Sequence, residues 1–304
     1  MTDQVDPSMA PSAGGASSGP TTTGPSSPIA ALDAAGRLIA GGSIAVLVIL
    51  LLGLPVGAWE LEGYALVVLI AAIVGLVMAF MASPAAAGAS WPVPARDIAL
   101  LAGVVLSVVA VLNLIEVLFD LDQIDDERGG VVGLLLTIFL ALASVAVLAG
   151  AVTSREIGGI VGTPLREGDR GTRLAVGGLV LVIVGSLVML TISVYQMGPT
   201  FTFGLTLAVV AATVLLLNAS AGSSWSLPFA PAWIAVVLAA IGAYFLIDLT
   251  GQVTRQNDRG NLDAIDLLAF ALFAIGTLLI LAGSIWSAVE RQGLIKPRTP
   301  AATA

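Results

Sequence analysis

Residues 98–119 read IALLAGVVLSVVAVLNLIEVLF and decide the class of fold. The stretch is long enough to cross the hydrocarbon core of a bilayer as one α-helix, which takes about 20 apolar residues. Apolar side chains would lie on all sides of this helix, as in lipid, and not along one stripe, as in a soluble helix. The stretch therefore predicts a transmembrane helix, with Asn113 and Glu116 as its most polar residues.

Seven further apolar runs extend this prediction to an all-α polytopic membrane protein with eight transmembrane helices. The composition agrees, because 58% of the 304 residues are hydrophobic and 11% are charged, against about 45–50% and about 25% in soluble domains. The sixth run is short, and we expect it to take residues from 220–224. The predicted spans are 38–58, 64–82, 98–119, 131–152, 174–196, 203–218, 232–249 and 266–288.

Five short motifs occur twice in the same order, which predicts an internal duplication. Each predicted repeat has four spans, so both repeats enter the membrane from the same side and are parallel, related by a pseudo-two-fold axis along the membrane normal. Paired glycines at the start of each repeat, Gly41-Gly42 and Gly177-Gly178, are expected to let helix backbones approach closely. The motif pairs, 128–136 residues apart, are Arg37-Leu38 with Arg173-Leu174, Ser90-Trp91 with Ser224-Trp225, Phe119-Asp120 with Ile247-Asp248, Arg128-Gly129 with Arg259-Gly260, and Leu148-Ala149-Gly150 with Leu281-Ala282-Gly283.

The duplication divides the chain into a first membrane repeat, residues 37–156, and a second, residues 173–291. Residues 157–172 are predicted to be a cytoplasmic linker. Residues 1–36 are rich in Pro, Ser, Gly and Thr, and such a segment cannot bury enough apolar surface to offset its ordering entropy, so we predict a disordered cytoplasmic tail. Residues 292–304 are predicted to be a cytoplasmic C-terminal tail.

The distribution of basic residues predicts the orientation in the plasma (inner) membrane. Cytoplasmic loops carry an excess of Lys and Arg, and an arrangement with both termini in the cytoplasm places nine of the twelve basic residues inside. The tryptophans fall at the predicted span ends, where indole rings prefer the membrane interface. The nine are Arg37, Arg96, Arg155, Arg166, Arg170, Arg173, Arg291, Lys296 and Arg298, and the other three are Arg128, Arg255 and Arg259.

The composition restricts the chemistry that the protein can perform. The chain has no Cys and no His, which excludes disulfides, thiolate nucleophiles, imidazole bases, His-ligated haem and Cys-type zinc or iron–sulfur sites. We predict no catalytic residue, no cofactor and no metal site. A net charge of −8 without a basic stripe also argues against nucleic-acid binding.

Six polar residues form a candidate polar site near the outer ends of the helices. Asn113, Glu116 and Asp120 share one face of the third helix because of their i, i+3, i+7 spacing. An acid within a span is a functional-site hypothesis by default, although Glu116 lies close enough to the outer end for a purely structural role. Asp248 is the repeat partner of Asp120, and Arg128 and Arg259 are the arginines of the duplicated Arg-Gly motif.

These observations leave several functions open. The shortage of reactive side chains favours a non-enzymatic scaffold or partner-binding subunit of a membrane complex, whose partners are the lipid bilayer and another protein or a second copy of the chain. The alternative is a small transporter or channel with its pathway between the two repeats. A third hypothesis, a lipid-modifying enzyme, would use Glu116, Asp120 and Asp248 as acid–base groups.

Overall fold

The computed structural model describes residues 32–55, 58, 63–83, 86, 91–119, 130–154, 168–192, 198–220 and 225–291. Within these ranges the protein is all-helical and has no strand. All eight helices are long and apolar enough to cross a membrane. They are α1 (Ala34–Gly53), α2 (Tyr64–Met81), α3 (Ala95–Phe119), α4 (Gly130–Thr153), α5 (Arg170–Ile192), α6 (Gly198–Ala219), α7 (Ala232–Asp258) and α8 (Ala264–Arg291).

The helix bounds differ from the predicted spans where polar residues continue a helix. α1 begins at Ala34, inside the predicted tail, because the Asp33 carboxylate accepts a hydrogen bond from Gly36 N–H at 2.6 Å and caps the helix. α6 extends towards its N-terminus to Gly198 and ends at Ala219, so the expected extension into residues 220–224 is wrong. α7 continues nine residues past position 249 to Asp258. The thickness of the bilayer sets the length of the apolar run, but it does not limit the length of the helix.

The helices form two groups of four, and the order of neighbours is the same in both. In the first group α1 packs against α2 and α4, and α3 packs against α2 and α4. In the second group α5 packs against α6 and α8, and α7 packs against α6 and α8, with a smaller contact of α6 with α8. Each group has its own buried apolar core. We call these groups the first half and the second half.

α3 and α6 form the main helix contact between the halves, and we call it the seam. α6 is the most enclosed helix. Within the apolar membrane-spanning segment of each helix, 72% of the residues are buried in α6 and 56% in α3. Leu112 of α3 packs into the core of the second half, and Leu217 of α6 packs into the core of the first half. The seam is therefore closed by apolar side chains that cross it in both directions.

Glycines bring α5 and α8 together at backbone distance. A Cβ atom on Gly178 would lie 2.6 Å from the Gly276 carbonyl oxygen, and a Cβ on Gly276 would lie 2.6 Å from that of Gly178. Gly171 faces Gly283 in the same way, one heptad away on each helix. Larger side chains at these positions would force the two helices apart. Small residues at such contacts let helices in lipid pack closely.

The glycine pairs of the two predicted repeats pack within the halves. Gly42 contacts α4 at Val147 and Ala143, just as Gly178 contacts α8. Gly41 and Gly177 have open space around the position of a Cβ. Gly42 and Gly178 therefore join the first and fourth helices of their own half, whereas Gly41 and Gly177 make no helix contact.

Candidate functional site

Aromatic and polar side chains meet across the seam at the end of the bundle where α2 and α6 begin, which we call the outer end. The Tyr64 ring stacks on Phe203 of α6 with a centroid distance of 5.6 Å, and Phe203 stacks in turn on Phe245 at 6.1 Å. The Tyr64 hydroxyl lies near Thr202 of α6 and near Glu116 of α3. Glu116 is half-buried, so this acid faces another helix and not only the lipid headgroups.

A second polar group lies beside it on the same end of α6. Asp248 of α7 accepts hydrogen bonds from the Thr200 hydroxyl at 2.9 Å and from the Gln252 amide at 3.0 Å. Thr200 precedes Thr202 by two residues on α6. Asp248 is thus bonded directly to the outer end of α6, and Glu116 lies near Tyr64, which stacks on the same helix.

The other predicted site residues are placed differently. Asn113 is half-buried one turn inward from Glu116 on α3. Arg259 is exposed just past the end of α7, eleven residues after Asp248, or roughly 16 Å along the helix axis at 1.5 Å per residue. Asp120 and Arg128 lie outside the described residues. The structure therefore brings Glu116 and Asp248 towards α6 and leaves Arg259 apart from them.

Tyr244, which the predicted duplication aligns with Glu116, faces away from the protein. Its side chain is 69% exposed, and it meets Phe245 edge-on at 6.1 Å. Ile247, one turn further along α7, is 70% exposed. This face of α7 is directed towards lipid, so Tyr244 cannot line a cavity between the halves.

The chemistry available at the outer end is that of hydrogen bonding and charge. Carboxylates, hydroxyls and one amide can hold a polar or cationic group. In the described ranges no group of three or more His, Cys, Asp or Glu side chains could hold a metal ion.

At the opposite end of the bundle, which we call the inner end, one aspartate in each half caps the first helix and pairs with an arginine of another helix. Asp169 caps α5 by accepting from Thr172 N–H at 2.6 Å, and it also accepts from the Ser287 hydroxyl at 2.8 Å and from Arg291 Nε at 3.0 Å. Burial by itself raises the pKa of Asp169, but the hydrogen bonds from Thr172, Ser287 and Arg291 outweigh it and hold this pKa below its usual value. Arg291 also donates to the Asn218 carbonyl of α6.

The first half uses the same kind of contact with a different arginine. Asp33 caps α1 and forms an ion pair of 3.5 Å with Arg96 at the start of α3. Arg96 in turn donates to the Ser154 carbonyl at the end of α4. Asp33 and Asp169 are 136 residues apart, the spacing of Arg37 and Arg173, so the repeat could have revealed these caps, which sequence reasoning missed.

Asp97 and Trp225 join the halves at the inner end. The Trp225 indole N–H donates to the Asp97 carboxylate at 2.7 Å, and Asp97 is fully buried. Trp225 packs against both apolar cores, whereas its repeat counterpart Trp91 is 49% exposed. Trp91 is thus exposed at the end of the bundle, whereas Trp225 is partly buried between the two halves. No pattern in the sequence links Asp97 to Trp225.

Two comparable loop segments meet beside this pair. Ser226 N–H donates to the Pro92 carbonyl at 2.8 Å, and these two residues occupy matching positions in the duplicated Ser-Trp motif.

Comparison with known proteins leaves the site without a precedent. No family model, no curated protein and no solved structure matches the chain.

Proposed function

We propose that the protein is a non-enzymatic scaffold or partner-binding subunit of a membrane complex. The observation that carries this proposal is the apolar seam. Leu112 and Leu217 cross between the halves with exposures of 7% and 0%, where a transporter of polar solutes would need polar groups and water.

The hydroxyl groups of α6 support the same view. Thr206 donates to the Thr202 carbonyl at 2.7 Å, and Thr213 donates to the Val209 carbonyl at 2.8 Å. These hydroxyls satisfy the backbone of their own helix, so their hydrogen atoms are not directed across the seam towards a solute.

The outer polar group favours the alternative, a small transporter or channel between the halves. Glu116 and Asp248 lie near the outer end of the seam, where a solute pathway would begin. Parallel repeats also occur in transporters. The two functions differ in whether water reaches the middle of the seam.

Cysteine accessibility separates them, because the chain has no native Cys. Single cysteines replace Leu112, Leu217 and, as an exposed control, Thr254. A small charged methanethiosulfonate is then added to permeabilised membranes, so that it reaches both faces of the bilayer. A scaffold leaves the two seam cysteines unmodified while the control reacts completely. Modification of either seam cysteine at a rate close to that of the control would refute the scaffold and support a pathway.

Partner binding is tested separately on the full chain. Native mass spectrometry of the protein, extracted in mild detergent from its own membrane, should show a particle with a second polypeptide, or a second copy of the chain, in a fixed stoichiometry. A particle that contains one chain and only lipid would contradict the partner-binding part of the proposal.

We also propose that the halves are parallel repeats related by a pseudo-two-fold axis along the membrane normal. The support comes from the matching order of helix neighbours, from the caps Asp33 and Asp169, and from the Pro92–Ser226 hydrogen bond between matching positions. An experimental map in which residues 37–156 superpose on 173–291 by rotation about the normal is the expected result. Superposition that requires inversion through the membrane plane would refute it.

For the location we propose the plasma (inner) membrane with both termini in the cytoplasm. The excess of basic residues at the inner end supports this orientation. The structure supports a multi-pass protein through its eight apolar helices.

A further inference from the structure

The contact at the inner end of the seam differs from ordinary helix packing. A fully buried carboxyl group of α3, Asp97, is bonded to an indole from the segment between α6 and α7, Trp225. Burying a carboxyl group is unfavourable unless it is hydrogen-bonded, and an apolar pair of the same size fills such a space at least as well. The buried carboxyl group therefore indicates a contact that specifies an arrangement more than it adds stability.

Each half is held together independently of this contact. The halves have separate apolar cores, and their first helices are fastened by Asp33 with Arg96 and by Asp169 with Arg291. Between the described parts of the halves the main helix contact is that of α3 with α6, and it is smaller than the contacts of neighbouring helices within each half. Two rigid groups joined along one pair of helices can tilt about that pair, with the ends of the seam as the places where tilting is allowed or blocked.

We propose that Asp97 with Trp225, together with Pro92 with Ser226, forms a clasp that holds the inner ends of the two halves together and whose release lets them tilt apart about the seam. The clasp joins the first turn of α3 and the segment before it to the segment between α6 and α7, so its release does not require a helix to unfold. Tyr64 and Phe203 hold the outer ends by stacking, and this second contact keeps the halves joined when the clasp is open. The inference stands apart from the scaffold proposal, because a clasp can operate in either class of protein.

The clasp is asymmetric, which gives it a specific residue to test. At the matching position of the first half, Trp91 is 49% exposed and takes no part. Asp97→Ala removes the acceptor of the indole N–H. Asp97→Asn keeps an oxygen that accepts it, and serves as the matched control.

Spin-label distances report opening in the full chain reconstituted in lipid. An inner pair of cysteines replaces Ala34 of α1 and Leu174 of α5, and an outer pair replaces Val131 of α4 and Thr254 of α7, all of them exposed positions. Loss of a hydrogen bond to a carboxylate shifts an equilibrium about 10- to 100-fold. Asp97→Ala should therefore add a longer population to the inner distance and leave the outer distance unchanged, whereas Asp97→Asn keeps the distribution of the parent chain.

Two results would overturn the clasp. One is an inner distance distribution that Asp97→Ala leaves unchanged. The other is an equal lengthening of the inner and outer distances, which would make Asp97 a general packing residue. If Asp97→Ala fails to fold, as judged by gel filtration in detergent, Trp225→Phe replaces it, because this change keeps an aromatic six-membered ring and removes the pyrrole ring with its N–H donor. The same two results with Trp225→Phe would then overturn the clasp.

Discussion

Replacing Gly178 by alanine should separate α5 from α8 and destabilise the second half. The added Cβ would lie 2.6 Å from the Gly276 carbonyl oxygen and 2.9 Å from the Ile280 nitrogen, whereas ordinary contact begins at 3.4 Å. Both neighbouring atoms belong to the backbone, so a side-chain rotation cannot relieve the overlap. Overpacking of this kind costs about 1–3 kcal/mol.

The adjacent Gly177 provides a matched control. A Cβ at this position meets nothing within 4 Å, so Gly177→Ala should only gain helix propensity, up to about 1 kcal/mol. Gly178→Ala gains the same propensity, so the difference in free energy of unfolding between the two alanine variants should equal the overpacking cost of about 1–3 kcal/mol. Gly42→Ala and Gly41→Ala form the same comparison in the first half, where the clash at Gly42 includes the movable end of Val147 at 2.8 Å, and the difference should be smaller.

The assay is reversible unfolding by SDS in mixed micelles, followed by tryptophan fluorescence. The reasoning fails if Gly178→Ala is as stable as Gly177→Ala, because the α5–α8 contact would then not be limited by backbone distance. It also fails if the Gly41 and Gly42 variants differ by more than the Gly177 and Gly178 variants.

Three further predictions concern orientation, pH and the outer acid. A cysteine at Asp125 should react with an impermeant thiol reagent in intact cells and one at Gly168 should not, and labelling at Gly168 would contradict the topology. The pKa of Asp169 is lowered in the folded protein, so its stabilising contribution is present above its unfolded pKa and lost as pH falls through the folded value. Asp169→Asn should reduce the free energy of unfolding by about 1.5–3 kcal/mol at pH 7. A difference that persists undiminished in acid strong enough to protonate every carboxylate would disprove the assignment. Glu116→Gln should leave membrane insertion and the gel-filtration profile unchanged, and should lower partner or solute binding only if the outer polar group is a site; equal loss of binding and folding would show a structural role.

Much of the helical architecture is predictable because its cause is local. The bilayer requires long apolar segments whose backbone is bonded internally, and the run at 98–119 satisfies this without reference to any other segment. The caps were also visible in principle, since Asp33 and Asp169 precede Arg37 and Arg173 by the same four residues.

The helix ends were predicted less well because hydropathy reports the membrane and not the helix. α7 continues through polar residues to Asp258, and α6 begins five residues before the predicted span. Backbone hydrogen bonding favours continuing a helix after the apolar run has ended, so the two boundaries need not coincide.

The contacts between distant residues were decided by the tertiary structure alone. Gly41 and Gly42 are equivalent in the sequence, but successive helical residues point about 100° apart, and only the position of α4 selects Gly42 for packing. Trp225 resembles Trp91 in its motif, yet the way in which α3 and α6 meet places Trp225 against Asp97, 128 residues away, and leaves Trp91 exposed. Hydrophobicity determined that the chain enters the membrane, whereas the fit of side chains between helices determined which halves, ends and residues meet there.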